Sequence, residues 1–298
     1  MSETAPIVVG FDARSTGADA LALARAFGRV TGARLVVVAV HPGSAAIGSG
    51  KVDAEWVADR HRAAEDMLAR ARDQVTGEET VEYRNVASSS AAHGLHDVAE
   101  ETGAGLIVVG SHHAAAESRM FAGSTAERLL SGSSTCPVAV APPGLSDRPG
   151  LSIGRIGVAY IEEPEARTAL ASAAALADAV LASGSDPELR LYTVVSAPAD
   201  VLPLPLGRDA EQAFLEKARS YYRTALDEAV QRLPAGLRAS GHLLTGDVVE
   251  VLADLGDADV DVLYCGSRGY GPVRRVLLGG VSARLVRRAR SPVVVAPR

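Results

Sequence analysis

The chain has only two cysteines among its 298 residues, Cys136 and Cys265, and no CxxC spacing. Neither a disulfide framework nor a cysteine-based zinc site is therefore signalled. Aromatic residues make up 4%, and of the 30 basic residues only Lys51 and Lys217 are lysine, a skew that together with the abundance of alanine reflects coding bias more than chemistry. No apolar run reaches the roughly 18 residues of a membrane-spanning helix. Met1-Ser2-Glu3-Thr4 carries no positive region leading into a signal-type apolar segment, so a cytoplasmic protein is expected. Net charge is −6. That sign gives no global attraction to nucleic acid or to an anionic membrane, and neither is expected as a partner.

What the chain does have is repetition. Gly110-Ser111 closes the apolar run from Gly105 to Val109, and Gly266-Ser267 closes the run from Val260 to Cys265. Gly110 and Gly266 are 156 positions apart, as are Gly123 and Gly279. Both copies end alike, on Cys136-Pro137-Val138-Ala139-Val140-Ala141-Pro142 and Ser291-Pro292-Val293-Val294-Val295-Ala296-Pro297. A period this long exceeds that of solenoid repeats and means duplicated whole domains. With 47% hydrophobic residues, each half can bury a core. The expected boundaries are 1–142 for the first domain and 151–298 for the second. The proline- and glycine-rich stretch 143–150 reads as the linker.

Within the first copy, apolar strands over 7–11, 35–40, 79–86, 106–109 and 138–140 alternate with helices over 17–31, 53–75, 95–102 and 125–130. The second copy repeats the order, with strands over 156–160, 189–195, 237–244, 260–265 and 293–295. Its helices fall at 165–182, 210–233, 248–255 and 281–290. Uninterrupted apolar strands between helices imply a parallel sheet buried on both faces. The fold class is therefore α/β: two tandem, doubly wound, open parallel five-stranded sheets with helices on both faces, a Rossmann-like architecture.

In such sheets ligands bind outside the carboxyl ends of the strands. After its fourth strand the second copy reads Gly266-Ser267-Arg268-Gly269-Tyr270-Gly271-Pro272, and Gly279-Gly280-Val281-Ser282 then opens a helix. Glycines let main-chain N–H groups approach an anion, and a helix amino terminus adds unpaired donors, so the loop suits phosphate. Arg268, Arg274 and Arg275 are candidates for charge-assisted contacts.

In this loop, its strand order and its closing Pro-Val-x-Val strands, the sequence resembles the universal stress protein family. That family's pattern is glycine, two residues, glycine, nine residues, then glycine followed by serine or threonine. The resemblance covers both halves. It implies an adenine nucleotide alpha hydrolase-like sandwich that binds ATP, with or without Mg2+, between the acid after strand one, the end of strand two and the glycine loop. Carried over position by position, the first copy supplies Asp12, Val40, Gly110, Gly123 and Ser124, with Thr125 following in the helix. The second motif glycine is replaced by His113, which pays about 1 kcal/mol if that site needs a positive φ. The second copy keeps Gly266, Gly269 and Gly279, carries Gly280 in place of the hydroxyl residue, and has Ile161 where the acid belongs. The first copy is thus the better site. The resemblance further implies an intrachain pseudo-dimer through the last strand of each domain, and leaves a homodimer of whole chains open.

Plainer readings stand beside these. Asp12 also suits a helix cap, and Gly110 and Gly266 also suit a strand-to-loop turn. The pairs His112–His113 and His93–His96 lack a third ligand at metal spacing, and His93 and His96 read as solvated loop and helix residues. The segment 43–52 imitates a P-loop but lacks its first glycine and its Ser/Thr, and reads instead as a surface loop or lid. The counterpart 198–208 is an apolar loop, and the arginines Arg284, Arg287, Arg288 and Arg290 suit a helix carboxyl end. No Ser-His-Asp set, HEXXH motif or paired metal carboxylates appear, and no ATP-cleaving loop follows strand one. The protein is read as a nucleotide-binding stress regulator or sensor rather than an enzyme, weak ATP hydrolysis remaining open. The alternative is a non-nucleotide interaction module built as a pseudo-dimer.

Overall fold

The computed structural model describes residues 4–12, 14–43, 54–75, 80–113, 120–121, 124–131, 136–196, 208–267 and 280–297. Apart from the last two residues, the chain divides into two compact units, Met1–Ser152 and Ile153–Ala296.

In the first unit the long strands are β1 (Ile7–Gly10), β2 (Leu35–Pro42), β3 (Val81–Ser88), β4 (Leu106–Gly110) and, after a short hairpin, β7 (Val138–Ala141). They pair in the order β7-β4-β1-β2-β3, all parallel. The run Leu35–Ala39 is at most 2% exposed, as an apolar strand covered on both faces must be. Helices α1 (Ser15–Thr31), α2 (Ala54–Gln74), α3 (Ala91–Thr102) and α4 (Ser124–Ser131) connect the strands. Because β1 pairs with both β2 and β4, successive right-handed crossovers run in opposite directions from it, placing α1 and α2 on one face and α3 and α4 on the other. The carboxyl edge between β1 and β4 is the switch point.

The order expected from sequence is present, with shifted ends. Helix α3 starts at Ala91 rather than at 95, because the Ser90 hydroxyl accepts the His93 N–H at 3.2 Å and caps an extra turn. His93 therefore lies in a helix, not a loop. Both α1 and α3 stop where a left-handed residue is required, at Gly32 (φ 69) and Gly103 (φ 64). A two-stranded antiparallel hairpin, β5 (His112–His113) with β6 (Met120–Phe121), was not anticipated.

The second unit repeats the plan with β8 (Arg155–Ala159), α5 (Pro164–Ala182), β9 (Glu188–Val195), α6 (Arg208–Gln231), β10 (Arg238–Thr245), α7 (Val248–Ala253), β11 (Val262–Gly266), α8 (Val281–Val286) and β12 (Val293–Ala296). Its order is β10-β9-β8-β11-β12, again parallel. Helix α8 ends at Val286 rather than at 290. The following arginines form turns instead, with the Arg290 N–H donating to the Ala253 carbonyl at the end of α7.

The chain leaving β7 is fastened to α1 by a buried acid. Asp19 is 0% exposed, and its carboxylate accepts from the N–H groups of Gly144 (3.0 Å) and Ser146 (2.8 Å) and from the Ser146 hydroxyl (2.8 Å). A carboxylate is affordable at such depth only because donors surround it. Replacing Asp19 with alanine should destabilise the first unit by about 2 kcal/mol or more, since buried donors lose their partner. Denaturant unfolding should show the loss, amide exchange over 144–148 should accelerate, and Asp19→Asn should cost less.

Candidate functional site

The two copies share one feature at the switch point. Gly110, the last residue of β4, lies against the first turn of α1 so closely that an added Cβ would sit 2.1 Å from the Thr16 carbonyl oxygen. At the end of β11, a Cβ on Gly266 would lie 2.7 Å from the Glu165 carbonyl oxygen in α5. Neither glycine is among those with positive φ. Their role is thus the close approach of strand end to helix start, more specific than the strand-to-loop turn that sequence suggested.

From this contact the first site is built. The Thr16 hydroxyl donates to Asp12 Oδ1 and Oδ2 (2.6 and 2.7 Å), and the N–H groups of Arg14 (3.1 Å) and Gly17 (3.0 Å) donate to Oδ1. Asp12 therefore accepts a donor from the first turn of α1, while the N-cap position itself is Arg14, whose side chain makes no cap. Gly17 is needed as well, because its Cβ would fall 2.4 Å from the Asp12 carbonyl oxygen. Thr16 and Gly17 escaped the sequence reading; their signal was the spacing Asp-x-x-x-Thr-Gly between a strand and a helix. Both backbone donors fall on Oδ1, so Oδ2 keeps spare acceptor capacity, and Asp12 is only half-buried. An acid held this way suits an amino or hydroxyl donor and repels phosphate.

The other first-copy residues are placed as follows. Val40 ends the apolar part of β2 and packs at Gly94 of α3, where an added Cβ would touch it at 3.0 Å. His113 belongs to strand β5, whose extended backbone does not ask for positive φ, so the expected penalty at that position does not arise. Ser124 and Thr125 open α4, whose amino terminus supplies main-chain donors. The Ser111 hydroxyl donates to the Ala141 carbonyl at 2.8 Å and ties β4 to β7. Gly123, Gly269, Gly279, Arg268, Arg274, Arg275 and the segments 44–53 and 197–207 lie outside the described residues.

The second copy differs where it counts. Ile7 is in register with Leu106, and Ile156 with Val262, which is the equivalent residue. Five positions beyond Ile7 and Ile156 stand Asp12 and Ile161, so the acid is absent from that position. Glu162 follows, a residue that sequence reasoning missed. Its carboxylate accepts from the Tyr160 hydroxyl (2.5 Å), Arg167 (2.9 Å) and Arg232 (3.3 Å). The Tyr160 hydrogen bond, followed by Arg232 and Arg167, holds the Glu162 carboxyl below the ordinary carboxylate range. Burial, then Glu162, pushes Tyr160 up to about 12. This acid is thus occupied within the domain. Gly280 is the N-cap of α8, without a side-chain cap, and the Ser282 hydroxyl reaches back to the Ser267 carbonyl at 3.2 Å.

Cys265 is buried, and its thiol is raised to about 12 by burial, which leaves it unreactive at neutral pH. His93 and His96 face Asp97 (3.6 Å) and Glu100 (3.8 Å) one turn along α3. No described helix is long and apolar enough to cross a membrane.

A doubly wound α/β domain with a switch point between its first and fourth strands, present twice, defines the class of protein. The Universal stress protein family model matches residues 4–142 and again 152–297, and the chain belongs to that family. It is 29% identical to Universal stress protein Rv2319c of Mycobacterium tuberculosis and to Mb2346c of Mycobacterium bovis, covering 98% of this chain and 99% of each relative. Among solved structures, a universal stress protein from Archaeoglobus fulgidus superposes with a TM-score of 0.67 at 18% identity, over 100% of both chains. The functionally unknown protein PA1789 from Pseudomonas aeruginosa gives 0.58 at 16% identity, over 99% of this chain and 93% of that one. These two likenesses establish the fold.

Two outcomes follow from the geometry. Gly110→Ala should destabilise the first domain by roughly 1–3 kcal/mol, because the methyl meets backbone that cannot rotate away. Gly236→Ala, where nothing lies within 4 Å, should be neutral in the same denaturation experiment. Glu162 has a depressed native pKa, so its contribution is full above the ordinary glutamate value and disappears as pH falls through the native one. Second-domain stability, followed by urea titration between neutral and acid pH, should fall along that limb, and less steeply in Glu162→Gln and Tyr160→Phe.

Proposed function

We propose that the protein is an adenine-nucleotide-binding regulator or sensor of stress, cytoplasmic and without a catalytic set, whose first domain carries the working site. The observation that carries this reading is the chain of contacts from Gly110 through Thr16 to Asp12. It brings the glycine after strand four and the acid after strand one, 98 positions apart in sequence, to one edge. Asp12 Oδ2 would accept from an amino or hydroxyl group of the nucleoside. The phosphates would lie toward Gly110, His113, Gly123 and the amino terminus of α4 at Ser124 and Thr125, where N–H donors favour anions. When bound, ATP, with or without Mg2+, supplies the signal; the chain's own residues orient it.

The second domain is read as the weaker site. Ile161 offers no acceptor, Glu162 is held by Tyr160, Arg167 and Arg232, and Gly266, Gly269, Gly279 and Gly280 retain only the backbone part of the loop. The same reading has the two domains associate through their last strands, 138–140 and 293–295, as an intrachain pseudo-dimer, which would cover two apolar edges.

Calorimetric titration with ATP and Mg2+ tests the assignment. The wild type should bind one equivalent, and Asp12→Ala should bind at least about tenfold more weakly, the usual scale for losing a charged hydrogen-bond partner. Ile161→Asp should leave the first site unaffected. No binding at millimolar nucleotide would overturn the reading.

A further inference from the structure

Strands β3 and β10 hold the same place in the two domains, and their registers match them residue by residue. Ile7 pairs with Leu35 and Leu35 with Val81, while Ile156 pairs with Leu189 and Leu189 with Ala239. One residue beyond Val81 and Ala239 stand Glu82 and Ser240, and three residues beyond them stand Arg84 and His242. A side chain that is always charged has thus been exchanged for one that titrates near neutral pH. We propose that His242 is a proton-operated latch, neutral while β10 is held in the sheet, whose protonation in mild acid loosens that strand.

In the first domain the cation is paired. Arg84 lies 2.5 Å from Glu82 and 3.0 Å from Glu101. In the second, the Ser240 hydroxyl stands where Glu82 does, 2.9 Å from His242 Nε2, and the imidazole stacks on Tyr192 with centroids 5.1 Å apart and planes at 25°. His61, His93 and His96 each have a carboxylate within 4.0 Å, one helical turn along. Among the described residues, no carboxylate comes within that distance of His242. The charged and titratable groups around it are Glu188, Arg190 and Tyr192 on β9, Arg223 on α6 and Asp259 before β11. Both acids are engaged elsewhere: Glu188 accepts from Arg190 at 2.6 and 2.9 Å, and Asp259 from the Gly256 N–H at 3.0 Å. Arg190 is the register partner of Ser240, and Arg223 donates to the carbonyl of Gly241, the neighbour of His242, at 3.4 Å. The tyrosine face by itself would accept a cation, so the opposition to a proton comes from burial and the two guanidinium groups. Burial first, then Arg190, holds the imidazole below the ordinary histidine value.

The strand that carries this histidine is weakly held. β10 is the outer strand of its domain, hydrogen-bonded to β9 alone, and none of its residues is buried. Of α6, which packs on it through Leu226 at Gly241, only Leu226 and Ala229 are buried. A charge that costs little in a deep core contact costs more of what such an edge has to lose. Because the native pKa lies below the unfolded one, the contribution of neutral His242 is full above the ordinary value of 6.5 and disappears as pH falls through the native one. The carboxyls of Glu162 and Glu188 titrate below the ordinary glutamate value of 4.5, so the histidine step precedes their acid limb.

Amide hydrogen exchange of the full-length protein at about pH 7.5 and about pH 5.5, corrected for intrinsic exchange rates, reads the latch. On acidification, protection over 238–245 should fall at least about threefold more than over 81–88, the matched strand of the first domain. His242→Phe, which keeps a ring on Tyr192 and takes no proton, should abolish the difference. Ser240→Glu, which restores the carboxylate present at Glu82, should raise the His242 pKa in histidine 15N NMR and keep β10 protected in mild acid. Equal loss of protection in the two strands, an undiminished loss in His242→Phe, or a wild-type His242 that titrates at or above the ordinary histidine value would overturn the proposal. If His242→Phe does not fold, Ser240→Glu decides, and an undiminished loss there has the same meaning.

Discussion

A strand end and a helix start that meet main chain to main chain, with no room for a methyl group, set the geometry of each domain. Gly110 against Thr16, and Gly266 against Glu165, bring the first helix across the end of the fourth strand. The loops after strands one and four then leave the sheet from adjacent points. Because the contact is made to a carbonyl oxygen, it constrains the strand residue to glycine and leaves the helix side chain free. The two copies use that freedom differently. In the first the partner residue is Thr16, whose hydroxyl fixes an acid, and in the second it is Glu165.

That divergence separates two domains of one architecture electrostatically. Asp12 receives backbone donors on one oxygen only and so remains a directional acceptor at the edge of the cleft. The second domain also has an acid close by, but Glu162 is surrounded by a tyrosine hydroxyl and two guanidinium groups. A carboxylate whose lone pairs are filled from inside the domain stabilises it and has less to offer a ligand. Duplication preserved the scaffold through backbone contacts, and side-chain hydrogen bonding then made the two edges unequal.

Much of this was legible in the chain. The strands could be read because apolar runs such as Leu35–Ala39 are covered on both faces, and burial on both sides leaves an uninterrupted signature. The hairpin of His112–His113 with Met120–Phe121 was not, since strands of two residues carry no periodicity. The start of α3 was misread because its first turn depends on the Ser90 cap rather than on apolar spacing. Asp12 was found as an acid after strand one, but its division into an oxygen that takes the backbone donors of Arg14 and Gly17 and one that takes only the Thr16 hydroxyl depends on where those donors fall. Glu162 was missed because one partner, Arg232, is 70 residues away in sequence.

By itself, the sequence determined the fold class, the duplication and the family, because apolar period, strand-helix alternation and repeated glycines are properties read along a chain. Only the tertiary structure decided that both backbone donors at Asp12 fall on Oδ1, and that Glu162 is occupied by Tyr160, Arg167 and Arg232. The physical reason is that hydrogen-bonding capacity is filled by whatever the fold brings near. Each of these outcomes depends on groups that meet only once the helices have packed on the sheet.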